Sequence, residues 1–159
     1  MELSSRRVHL AACTPSLGDY SMKLIDRNLT VPFDGFLKDK KYVLMDRDTN
    51  CSCAFRSILE DSGVQPVRLP VRSPDLNSHI ERFHLSIKSE CLSRMIFFGE
   101  NMLRHTVLQY LAYYHGERNH QSLNNEIIER TEDIGAIAGE VECRERLGGI
   151  LKYYHRVAA

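Results

Sequence analysis

Between Tyr42 and Leu69 the chain leaves its backbone few choices. Tyr42–Met45 is a short apolar run that ends at Asp46. Cys53–Ser62 carries Phe55, Ile58 and Leu59 at helical spacing and stops at Gly63. Val64–Leu69 is a second strand-like run, with Pro66 near its start. Strand, helix and strand joined by short connections predict a parallel pair, because the crossover helix returns the chain to the end where it started. The fold class expected is therefore α/β. Asp46 stands where a buried strand ends, on the side where open α/β layers bind ligands.

The flanks extend this unit. Arg7–Ala12 alternates, with Val8, Leu10 and Ala12 on one side, and reads as a half-buried strand. A strand needs a neighbour and few residues precede this one, so the sequence reads as starting in the middle of a sheet. Asp19 is placed to cap a short helix carrying Met22, Ile25 and Leu29, which Pro32 stops. PFDGFLKDKK reads as loop, and so does the polar RSPDLNS stretch. A long helix is expected from Asn77 or Ser78 to about Met95, with Ile80, Phe83, Ile87 and Cys91 on one stripe. A turn at Phe97-Phe98-Gly99 leads into a helix from Glu100 to His115, with Leu103, Val107, Tyr110 and Tyr114 on one face and Gly116 at its stop. The last 36 residues lack regular periodicity and are expected to wrap the surface or meet a second subunit.

Composition narrows the function classes. Apolar residues make up 43% of the 159, enough for a core, and 21 basic residues balance 21 acidic ones. A disordered chain needs the opposite. The same balance means that any nucleic-acid surface is a local patch. No apolar run reaches membrane-spanning length and the N-terminus lacks a signal-peptide core, so a cytoplasmic protein is expected. Five cysteines form no disulfide framework, and Cys51-x-Cys53 lacks two further ligands at zinc-like spacing. They read as ordinary thiols.

Two acids draw attention. Asp46 ends a strand, and Glu81 lies in the first turns of the long helix, away from Ile80, Phe83 and Ile87. By themselves two carboxylates say little, since most are solvated surface charges. Their context says more. Asp46 is followed by a helix, by a Val-Arg-Leu-Pro strand ending at Pro70, by Ser73-Pro74-Asp75-Leu76-Asn77, and by a helix opening with Glu81-Arg82. Further on stand Tyr113-Tyr114-His115 and Glu117-Arg118-Asn119-His120-Gln121-Ser122-Leu123. Jointly these resemble the integrase core of bacterial DDE transposases, relatives of retroviral integrase. The last segment resembles the family's YxxxRPHxxL closing motif, with Asn119 in place of proline. The resemblance covers roughly residues 1–125, a partial catalytic core, and leaves 126–159 as a C-terminal tail.

The resemblance implies a ribonuclease-H-like three-layer α/β core with a helical C-terminal part, acting on DNA by strand transfer. Such chemistry uses three carboxylates and two divalent cations, Mg2+ or alternatively Mn2+. Asp46 matches the family's second acid and Glu81 its third; Asp48 is a neighbouring acid suited to a turn. The first acid lies on a first strand upstream of the ELSSRRVHLAACT segment, so the sequence reads as a truncated core with little strand transfer alone. Lys88, two helical turns from Glu81, shares its face and matches a family lysine that meets the DNA end. Arg68 and Arg72 flank the preceding loop and are placed to track a phosphate backbone. Asn77 caps the helix or orients Glu81, with Ser78 competing for the cap. Arg82 neighbours the acid and suits an ion pair equally well. Arg118 pairs with Glu117 or reaches back to the core. His115 and His120 read as packing or hydrogen-bonding groups, and Tyr110, Tyr113 and Tyr114 as core. The expected partners are transposon-end and target DNA and a second copy of the chain, with no membrane. Two other accounts fit the same residues: a catalytically silent DNA-holding or dimerisation module, and a metal-dependent nuclease of the same fold.

Overall fold

The parallel pair expected from the 42–69 stretch is present in the computed structural model, which describes residues 1–16, 18–47, 52–70, 74–130 and 138–157. The chain divides into two compact units, Ala11–Ser78 and Met1–Leu10 with His79–Ala159.

In the first unit, helix α1 (Asp19–Leu29) precedes strand β1 (Tyr42–Met45), helix α2 (Cys53–Asp61) and strand β2 (Gln65–Arg68). The strands pair in parallel, with Tyr42 opposite Gln65 and Met45 opposite Arg68. Ser52 starts α2, its hydroxyl accepting the Phe55 N–H at 3.3 Å, which satisfies one otherwise orphaned donor. Met22, Met45, Phe55, Leu59 and Val64 form the core, with Ile25, Leu37 and Val43 against it. β1 was expected to be buried throughout. Instead Val43 and Met45 face this core while Tyr42 and Leu44 are exposed, the alternation of a sheet packed on one side. The start of α1 also differs: Gly18 holds the N-cap position and Asp19 is the first helical residue. Asp26, on α1, is fully buried, and among the described residues neither carboxyl oxygen has a hydrogen-bond partner.

The second unit contains helix α3 (Ser78–Glu90), helix α4 (Glu100–Gly116) and strands β3 (Val141–Arg146) and β4 (Leu151–Arg156); only Ser78, the first residue of α3, falls in the other unit. The predicted stripe of α3 meets the predicted face of α4: Phe83, Ile87, Cys91, Tyr110 and Tyr114 are core, joined by Leu111 and Leu151. Phe83 packs edge-on against Tyr114, with ring centroids 5.0 Å apart. α3 stops at Glu90, short of Met95, and a 3-10 turn over Leu92–Arg94 follows.

Two expectations are overturned here. Arg7–Ala12 forms no strand, so the proposed start in the middle of a sheet has no strand behind it. Val8 and Leu10 satisfy their apolar alternation by packing on the α3–α4 core. The Val8 N–H finds the ring of His115, whose Nε2 accepts it at 3.0 Å, instead of a neighbouring strand. The C-terminal tail, expected to lack regular structure beyond the helical part that ends with α4, instead includes an antiparallel hairpin, β3 with β4. Leu147, Gly148 and Gly149 turn it with φ of 53°, 66° and 87°, a left-handed path that glycine takes without steric cost. The hairpin is anchored by charge as well as by Leu151. Glu117, 4% exposed, accepts from Arg146 (Nη2–Oε1 2.7 Å) and from Arg144 (3.3 Å).

Candidate nucleic-acid and metal site

The first unit presents its polar groups where its strands end. Asp46 directly follows β1 and is exposed. Its Oδ1 accepts the Arg47 N–H at 2.7 Å. Arg47 turns back, its Nε donating to the Leu69 carbonyl at 3.1 Å, while the Leu69 N–H bonds the Met45 carbonyl at 3.0 Å. These bonds fix the backbone that carries Asp46. Arg68 is the last residue of β2 and exposed. Arg72 and Asp48 lie outside the described residues.

The second unit presents Glu81 and Lys88. Both are exposed on α3, and the seven-residue spacing puts them on one face. Asn77 closes the 3-10 turn Pro74–Asn77 directly before α3 and is half-buried. Arg82 is exposed on another face of α3 and pairs with no carboxylate among the described residues.

The closing motif is a clamp between helix ends. Of its two expected courses, Arg118 passes over Glu117 and reaches back to α3, gripping Glu90 with Nη2–Oε1 at 2.8 Å and Nε–Oε2 at 3.1 Å. That bond holds the guanidinium's proton even more firmly than usual. The Tyr110 hydroxyl donates to the same carboxylate at 3.1 Å; burial and this neighbouring negative charge push the phenol's pKa up. His120 is 4% exposed; its Nε2–H donates to the Tyr114 carbonyl at 2.7 Å and its ring stands edge-on to Tyr114. Burial lowers the pKa of both His115 and His120. They are packing and hydrogen-bonding groups, as expected. Glu90, Glu117 and Arg146 were not foreseen: partners 28 and 29 residues apart leave no periodic signal.

Among the described residues, no group of three or more His, Cys, Asp or Glu side chains is gathered to hold a metal. The donor chemistry of Asp46 and Glu81 nevertheless suits a hard divalent cation, since both are exposed carboxylates without an ion pair among the described residues.

The comparisons with known proteins bear on the same region. Residues 62–126 match the family described as Integrase core domain. These residues carry an integrase core domain. The integrase core match takes in β2, α3, α4 and the closing motif, and so contains Glu81, Lys88 and Arg118; Asp46 lies upstream of it. "Putative integrase ORF3" of Spiroplasma virus SpV1-C74 is 36% identical over 75 residues, 44% of this chain and 19% of that protein. The chain thus spans about a fifth of the relative's length. No solved structure matches. No helix among the described residues is long and apolar enough to cross a membrane.

Proposed function

We propose that this chain is the catalytic core of a DDE-type transposase or integrase, a ribonuclease-H-like α/β domain that acts on DNA in integration and transposition. What carries the reading is Glu81 and Lys88, exposed together on one face of α3 inside the integrase core match. Asp46 and Glu81 would hold Mg2+ or Mn2+, which supplies charge neutralisation at a phosphoryl group undergoing in-line displacement. The chain's own residues bind and orient the nucleic acid. Lys88 neutralises a phosphate beside the acid, Arg68 and Arg72 track the backbone, and Asn77 sets the start of the helix that carries Glu81. Arg118 acts at a distance by tying the end of α3 to the end of α4. A second copy is the expected protein partner, because among the described residues β1 and β2 form a two-stranded sheet in which both strands are edges.

The test is cation-dependent DNA binding and joining with labelled DNA ends. Mn2+ binding followed by paramagnetic relaxation should weaken at least tenfold in Asp46→Asn and in Glu81→Gln, with folding unchanged by circular dichroism. Equal Mn2+ affinity in both variants and the wild type would remove the metal site. Vigorous joining by the wild type that survives Asp46→Asn would remove the assignment of that acid.

A further inference from the structure

The second unit holds a cavity of about 350 Å3, at the small end of ligand-sized sites of roughly 300–1,000 Å3. Its wall is formed by His79, Arg82 and Ser86 on α3, by Arg118 and Asn119 of the closing motif, and by Arg6 from the N-terminal segment. No Asp or Glu lines it among the described residues. Arg118 is already neutralised by Glu90. Arg82 is not neutralised by any described residue, and the Nε–H of Arg6 is buried without a hydrogen-bond partner among the described residues. The Arg6 guanidinium donates through Nη1 to the Leu3 carbonyl, a neutral acceptor, and no described carboxylate pairs with it, so its charge is left unbalanced beside the cavity it lines. The chain holds Arg6 there in a left-handed conformation, φ 64°, which a non-glycine residue adopts only when its surroundings require it.

This cavity is distinct from the proposed metal site. At 3.6 residues per turn, His79, Arg82 and Ser86 lie roughly 100–180° round α3 from Glu81 and Lys88. We propose that the cavity is a phosphate subsite, taking a phosphodiester of the bound DNA between Arg6 and Arg82, with Asn119 and Ser86 as neutral donors. The proposal rests on the DNA reading above and deepens it: the strand would be held on two faces of α3 at once. A planar guanidinium suits the role because its fork of N–H groups matches two phosphate oxygens.

The experiment uses the full chain, a fluorescent DNA duplex and, in a separate arm, inorganic phosphate. Arg82→Gln and Arg6→Gln should each weaken duplex binding about fivefold to tenfold at low salt. Each should also reduce the slope of log affinity against log salt by about 0.9, one phosphate contact. Arg82→Gln with Lys88→Ala should lower the slope by about twice that. A thermal melt checks that each variant folds, and Arg82, exposed on a helix, tests the proposal should Arg6→Gln unfold. If the wild type binds DNA with a slope that neither arginine variant changes, the subsite is overturned while the DNA reading stands. If the wild type binds no DNA, both fall. If phosphate alone shifts the His79 and His120 ring resonances through Arg82 while duplex binding ignores Arg82, the cavity serves a free phosphate and the proposal is overturned.

Discussion

At the scale of single residues, the most consequential group outside the proposed site is Asp26. It is 0% exposed with no partner for either oxygen among the described residues, and burial raises its pKa from 3.8 to about 6. A carboxyl whose folded pKa is raised holds its proton more tightly in the native state. Stability is therefore unaffected below the unfolded value, falls as pH rises from 3.8 toward 6, and stays lowered above that. A rise of that size corresponds to roughly 3 kcal/mol. Asp26→Asn should raise the melting temperature at pH 7.5 and have little effect near pH 3.5; equal changes at both pH values would show that the carboxyl does not titrate this way. Glu117 is the opposite kind of buried acid, one with partners. Glu117→Gln leaves Arg146 uncompensated beside a low-dielectric core and should cost on the order of 3 kcal/mol in denaturant unfolding. A change below about 1 kcal/mol would mean that water already screens the pair.

At the scale of elements, the hairpin and the N-terminal segment are the informative cases. The hairpin depends on a turn in which three consecutive residues have positive φ. Gly148→Val puts a β-branched side chain into that region at about 1–2 kcal/mol. Amide exchange over Leu151–Arg156 should accelerate accordingly, while the amides of α4 keep their protection; unaltered exchange in β4 would show that Leu151 and Glu117 hold the strand without the turn. The N-terminal segment shows why alternation is an incomplete signal. Val8 and Leu10 alternate like a strand, but the same spacing serves an extended segment laid on a helical core, with its amide bonded to an imidazole. Alternation reports which side chains are buried, not what the backbone bonds to.

At the scale of the whole molecule, neutral net charge and a local cationic cavity fit together. A balanced chain gains DNA affinity only from such patches, so binding should be weak at physiological salt and strengthen steeply as salt falls. Among the described residues the pair β1–β2 has no third strand, which sets the expectation of self-association; analytical ultracentrifugation should find a dimer at micromolar concentration, and a monodisperse monomer would refute it.

The sequence by itself determined the elements whose cause is local. β1 over Tyr42–Met45, α2 from Cys53, α4 from Glu100 and the parallel sense of the sheet were all legible, because helical or alternating burial is written within a few residues and a short crossover permits one direction. The exposure of Glu81 and Lys88 on one face of α3 followed from spacing alone. The hairpin lay beyond that reach: β3 is exposed over nearly its whole length and so carries no alternation, and the Leu-Gly-Gly turn between two six-residue runs was its local mark. Tertiary structure decided which charges meet. Arg118 passed over its neighbour Glu117 for Glu90, Glu117 reached forward to Arg146, and Arg6 came to stand in the wall of a cavity with Arg82. Such pairings depend on the path of all the chain between the partners, and a side chain carries no local mark of the residue that folding will bring to it.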